Sequence, residues 1–166
     1  MNINSSTLQL ANQVGKQLES AQLSLTTAES CTGGLVATAV TSVEGCSNWF
    51  DRGFVTYSIP SKTEMLGVPP ALIERHGAVS EPVAQAMAEG ALHNSRADLA
   101  LAVTGLTGPS DGGEDKSVGT VCFAWHSTDQ KRCETVKFNG EPQQMRAQAA
   151  EYALRGVVTL MDKRGN

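Results

Sequence analysis

The sequence predicts an α/β fold, a three-layer α/β/α sandwich around a mixed five-stranded sheet, from three observations. Strand-like and helix-like runs alternate through the first hundred residues, the pattern of parallel strands joined by helical crossovers. The run ADLALAVTG at 97–105 is the most apolar in the chain and reads as a central strand buried on both faces. TVCFAWHS and RCETVKFNG, joined by a short polar connection containing Asp129 and Gln130, read as a hairpin, which forces an antiparallel pair into the sheet.

In chain order, Leu8, Ala11, Val14 and Leu18 recur at helical spacing behind the capping candidates Ser6 and Thr7, predicting an amphipathic helix over 7–20. LSLTTA at 23–28 is β-rich, and GGLVATAVTSV at 33–43 is a mostly apolar helix suited to lie on a sheet. GFVTYS at 53–58 is a second strand by its aromatic and β-branched content. Two short helical pieces fit between Pro60 and Gly77, the second closed by that glycine. Ser80 caps a longer helix, EPVAQAMAEGALHNS, with Pro82 tolerated in its first turn. A last helix spans 142–161, with Met145, Ala149, Tyr152, Ala153 and Val157 near one face.

A length of 166 residues fits one domain spanning 1–166, long enough to close a sizeable core. With 40% hydrophobic and 18% charged residues, the composition is that of a folded globular protein. A formal net charge of -4 gives no long-range attraction for nucleic acid or anionic lipid, so neither is expected as a partner. No basic start followed by an apolar core opens the chain and no run is long enough to span a bilayer, which points to the cytoplasm. Cys31, Cys46, Cys122 and Cys133 are irregularly spaced and read as reduced thiols, and His76, His93 and His126 are too scattered to suggest a metal site. Neither metal nor cofactor is expected.

AESCTGG at 28–34 sets Ser30 and Cys31 between a strand and a helix, followed by Thr32, Gly33 and Gly34. Free amides at a helix start stabilise an oxyanion or bind a phosphate, and glycines let a ligand approach the backbone. Equally, Ser30 or Thr32 simply caps the helix and the glycines make a tight turn. A serine nucleophile needs a base. His76 and His93 sit at helix ends and His126 near a strand end, places where dipole interaction or solvation explains a histidine. Lys62, four residues beyond FVTYS, is the alternative base, on condition that burial or a neighbouring cation keeps some of it uncharged. Tyr57 is placed either to relay a proton or to pack as a strand aromatic. The glycine-rich TGLTGPSDGG follows the central strand, where open α/β sheets carry ligands.

Taken together, TTAESCTGG, WFDRGFVTYS with SK following, GAVSEPVA, VTGLTGPSDGG and SVGTVCFAW resemble the C-terminal domain family of the competence-damage-inducible protein CinA, over about residues 7 to 160. The chain looks like a stand-alone form, and stand-alone members of that family include nicotinamide-nucleotide amidases. The resemblance implies hydrolysis of the carboxamide of nicotinamide mononucleotide to nicotinate mononucleotide and ammonia, in pyridine nucleotide salvage. It also implies Ser30 as nucleophile, Lys62 as its base, Tyr57 close to that pair, and self-association as a homodimer. Cys31, in the same motif, reads as a packing residue at the edge of the substrate. Substrate contacts are expected from Thr32, Gly33 and Gly34, from Thr104, Gly105 and Gly108 in the second glycine loop, and from Arg52 and Arg146 as phosphate receptors. Two departures stand out: Leu106 and Thr107 where relatives commonly carry isoleucine and alanine, and Cys122 where tryptophan is frequent. Two other readings compete: a non-catalytic nucleotide-binding or interaction module, and a cysteine hydrolase using Cys31.

Overall fold

Residues 3–108 and 117–164 are described by the structure, a computed structural model. The second half of the glycine loop, with Gly112 and Gly113, lies outside the described residues. Helix α1 (Ser5–Ala21) begins earlier than its apolar spacing predicts, because Asn4 rather than Ser6 or Thr7 caps it, accepting the Thr7 N–H at 2.7 Å. Strand β1 (Leu25–Glu29) follows, then α2 (Leu35–Thr41), a short 3₁₀ turn at Cys46–Asn48, and β2 (Phe50–Val55). Helices α3 (Ile59–Leu66), α4 (Pro70–His76) and α5 (Glu81–His93) lead to β3 (Leu99–Gly105), and Ser80 caps α5 as expected. The hairpin β4 (Thr120–Ser127) and β5 (Lys131–Lys137) precedes the long helix α6 (Pro142–Arg164).

The five strands lie in the order β2-β1-β3-β4-β5. β1 runs parallel to both β2 and β3, while β3–β4 and β4–β5 are antiparallel, which is the mixed sheet the sequence predicts. Side-chain alternation along β3 divides the core in two. Leu99, Leu101 and Val103 face a large cluster with α1, α2 and α6, where Val14, Leu18, Phe123, Trp125 and Leu154 are fully buried. Ala100 and Ala102 face the other side, where Ala28 and Ala124 also offer small residues to Ala84, Met87, Ala88 and Ala91 of α5. Small residues on both surfaces bring α5 close to the sheet. A Cβ at Gly90 would collide with the backbone of Leu66, so α3 in turn rests directly on α5. That contact fixes the helix that carries Lys62.

β2 starts at Phe50, earlier than the predicted 53, and ends at Val55, so Tyr57 is not a strand residue. The reason is the register. Phe50 pairs with Leu25 and Val55 with Glu29, and the Thr56 N–H still donates to the Glu29 carbonyl at 2.8 Å. Beyond that point β1 turns away, and Tyr57 has no strand left to pair with; it is 68% exposed, not packed.

Candidate active site

The connection after β1 leaves through α2 to one face of the sheet, and that after β2 leaves through α3–α5 to the other. A crevice therefore opens at the carboxyl ends of these neighbouring parallel strands, the place where open α/β sheets bind ligands. Ser30 is the first residue past β1 and Lys62 sits in α3, the helix after β2. Lys62 Nζ donates to Ser30 Oγ at 3.0 Å and to the Thr56 carbonyl at 2.7 Å. Lys62 is 1% exposed, a position lysine rarely occupies without a specific role for its amine.

The Ser30 backbone is held at both ends. Its N–H donates to the Val103 carbonyl of β3 at 2.9 Å, and its carbonyl accepts the Gly33 N–H at 3.0 Å. Gly33 and Gly34 carry φ values of 61° and 95°, left-handed conformations that glycine adopts without strain. Their role is thus to turn the chain into α2, as the tight-turn reading held, and neither lines the cavity. The capping reading needs correction: neither Ser30 nor Thr32 caps α2. Glu29, which sequence reasoning passed over, takes that role from the last position of β1. Its carboxylate accepts the amides of Gly34, Val36 and Ala37 at 3.1, 3.0 and 2.8 Å, and the Thr32 hydroxyl at 2.6 Å. The α2 amides expected to receive a phosphate or an oxyanion are therefore already occupied. Among the described residues, the amides of Cys31 and Thr32 donate to no backbone or side-chain oxygen. A carboxylate between a strand and a glycine-rich helix start was the signal available for Glu29.

The crevice deepens into a cavity of about 1230 Å³, ample for a mononucleotide since ligand sites commonly measure up to about 1000 Å³. Ser30, Cys31 and Lys62 line it beside Thr104, Gly105 and Gly108, with Tyr57 and Arg146 also on its wall. The approach at Gly105 is close: a Cβ there would stand 2.9 Å from Cys31 Sγ and 2.8 Å from Val121 Cγ2. Gly108 meets no such crowding. Arg146, on α6, donates from Nε to Thr107 Oγ1 at 3.4 Å. Arg52 and Thr32 do not line the cavity. Arg52 is spent on Asp51 at 2.8 Å and on the Asn94 carbonyl at 3.1 Å, toward the opposite end of β2, so it leaves the set of phosphate receptors.

Burial pushes the Cys31 thiol up to about 12, against the smaller opposing pull of its own backbone amide. Held neutral, the thiol is a poor nucleophile, which weighs against the cysteine-hydrolase reading. His76 and His93 occupy the last turns of α4 and α5, as expected. His126 is buried rather than solvated. Among the described residues, no group of three or more His, Cys, Asp or Glu side chains has the arrangement of a metal site.

A three-layer α/β/α domain with a buried serine and lysine at the carboxyl end of its parallel strands is the class these observations define. The family model for the CinA C-terminal domain matches residues 7–161, and the chain belongs to that family. It is similar to the Escherichia coli K12 protein named nicotinamide-nucleotide amidohydrolase PncC, with 46% identity over 153 residues covering 89% of this chain and 90% of that one. A CinA-like protein of Syntrophobacter fumaroxidans is 47% identical over 87% of this chain but only 34% of its own longer length. Among solved structures, the competence/damage inducible protein CihA of Agrobacterium tumefaciens superposes with a TM-score of 0.92 at 36% identity, covering 96% of this chain and 98% of that one. The CinA superfamily protein ECK1530/EC0983 of Escherichia coli gives 0.89 at 36% identity, over 97% and 94% of the two chains.

Proposed function

We propose that the protein hydrolyses the carboxamide of nicotinamide mononucleotide to nicotinate mononucleotide and ammonia, with Ser30 as nucleophile and Lys62 as base. The observation that carries the chemistry is the 3.0 Å contact between Lys62 Nζ and Ser30 Oγ at the floor of the cavity. The substrate comes from the amidohydrolase relative that matches nearly end to end.

Uncharged Lys62 accepts the Ser30 proton as Oγ bonds to the carboxamide carbon. The carbonyl oxygen becomes an oxyanion, for which the unclaimed amides of Cys31 and Thr32 are the nearest donors in sequence to the nucleophile. One such donor is worth about 3 kcal/mol in the transition state. When the tetrahedral intermediate collapses, the C–N bond breaks and the Lys62 ammonium returns the proton to the leaving ammonia. A water then attacks the ester, with Lys62 again taking its proton, and the carboxylate product leaves with Ser30 regenerated. Tyr57, at the mouth, offers an aromatic face to the pyridine ring. Arg146 is the proposed phosphate receptor.

The same reading makes the chain one domain acting in the cytoplasm, in pyridine nucleotide salvage. No helix of the described residues is long and apolar enough to cross a membrane. The exposed Val55, Tyr57 and Ile59 beside the edge strand β2 are consistent with a homodimer.

The test is ammonia release from nicotinamide mononucleotide by the purified protein beside three variants. Ser30→Ala and Lys62→Ala are expected to lose at least about a thousandfold in kcat, and Cys31→Ala to keep most of it. Full turnover in Ser30→Ala sinks the mechanism. Nucleotide binding without turnover in the wild type establishes the non-catalytic module instead.

A further inference from the structure

We infer that Glu29 is a positioning residue for Ser30, its carboxylate clasped by the Thr32 hydroxyl and three amides of α2 so that the turn carrying the nucleophile has a single shape. The inference rests on the amidase reading. Glu29 is 1% exposed and has no ion pair among the described residues, so its buried carboxyl oxygens are satisfied by hydrogen bonds. It has four: Oε2 accepts from Thr32 Oγ1, Gly34 N and Val36 N, and Oε1 from Ala37 N. Carboxylates that accept several backbone N–H groups are a strong form of hydrogen bond.

The placement of these bonds is what points to catalysis. Glu29 and Thr32 stand on either side of Ser30 and Cys31, so the 2.6 Å bond between them closes across the nucleophile. The backbone of Glu29 serves the other half of the dyad. Its carbonyl accepts the Thr56 N–H at 2.8 Å, and the Thr56 carbonyl in turn accepts from Lys62 Nζ at 2.7 Å. One residue therefore sets both the turn that presents the hydroxyl and the segment that anchors the amine. By claiming the α2 amides it also leaves those of Cys31 and Thr32 as the unclaimed amides next to the nucleophile.

Two substitutions at Thr32 and one at Glu29 separate positioning from mere stability. Thr32→Val removes one donor to the carboxylate at nearly constant volume, and Thr32→Ser restores it. Glu29→Gln sets an amide NH₂ among N–H donors. For each variant, kcat and KM for ammonia release are measured with the melting temperature and the rate at which a fluorophosphonate labels Ser30. A displacement of the nucleophile by a fraction of an ångström lowers kcat about tenfold in Thr32→Val and about thirtyfold or more in Glu29→Gln, with KM within about threefold. Thr32→Ser recovers the wild-type kcat within about threefold, and labelling rates follow kcat.

A folded Glu29→Gln or Thr32→Val with wild-type kcat and labelling rate overturns the inference, whatever its melting temperature. If Glu29→Gln does not fold, the Thr32 pair decides alone. A wild type that is labelled but does not release ammonia sinks the substrate, and the labelling rates still decide the role of Glu29. A wild type that is neither labelled nor active overturns the amidase reading and this inference with it.

Discussion

Ser30 and Cys31 are neighbours in the chain and both line the cavity, yet their surroundings give them opposite chemistry. Lys62 Nζ stands 3.0 Å from the hydroxyl, whereas the thiol is pressed against Gly105 and driven by burial to a pKa of about 12. A thiol so far above neutrality presents almost no thiolate to an electrophile. Iodoacetamide at pH 8 is therefore expected to modify the half-buried Cys46 first and to spare Cys31 until the protein unfolds. Peptide mapping by mass spectrometry reads this directly, and alkylation of Cys31 at a rate comparable to Cys46 would mean that the site is open or the thiol ionised. Ser30 and Lys62 were legible in the sequence only as candidates, a serine at a strand-to-helix junction and a lysine past the next strand; the roles of nucleophile and base came from the resemblance to the CinA C-terminal domain family. Glu29 was not, because the predicted strand stops at residue 28 and leaves it as one polar residue of the junction. Its importance comes from α2 folding back over it.

Helices and strands were visible through their apolar spacing, and the mixed character of the sheet through the hairpin and the buried run at 97–105. Their ends were less visible, for a physical reason: caps and register set them, not apolar spacing. Asn4 lengthens α1, and pairing with β1 shifts β2 so that Tyr57 falls outside it. Packing between elements likewise decides the state of His126, a strand residue that sequence read as readily solvated. Burial beneath α5 lowers its pKa from 6.5, and the nearby Lys131 of β5 lowers it further, against a smaller opposite effect of Glu89 on α5. Its Nδ1 is 3.8 Å from Glu89 Oε1 and has no hydrogen-bond partner among the described residues. The unfolded chain binds this proton near pH 6.5 and the folded chain only at lower pH, so stability is complete above that value and is lost as pH falls below it. Glu89, Asp51, Asp129 and Glu134 have lowered values of their own and lose their contributions only at more acid pH. Between pH 7 and 5 the melting temperature is expected to fall in the wild type and to fall less steeply in His126→Gln. Equal slopes would remove His126 from the account.

Across the whole molecule, the cavity draws on the turn after β1, on α3 and α4, on the end of β3 and the loop after it, and on α6, so Ser30 and Arg146 meet there only when the chain has closed. The net charge of -4 works against an anionic substrate at long range, although at physiological salt such repulsion is screened within about 8 Å. On the proposed reading phosphate capture is local, and with Arg52 bound elsewhere Arg146 is the one guanidinium on the cavity wall among the described residues. The Thr107 hydroxyl holds its Nε at 3.4 Å and leaves the remaining N–H groups for a ligand. A hydrogen bond between charged groups contributes about 1.5–3 kcal/mol, so Arg146→Ala should raise KM for nicotinamide mononucleotide at least about tenfold while kcat changes little. The nucleoside, nicotinamide riboside, lacks the phosphate and supplies the control. The wild type should use it with a KM close to that of Arg146→Ala for the nucleotide, and Arg146→Ala should leave its kcat/KM nearly unchanged. An equal loss with both substrates would show that Arg146 supports the cavity wall rather than the phosphate, and would move the search for the anion receptor to the backbone amides of residues 105–108.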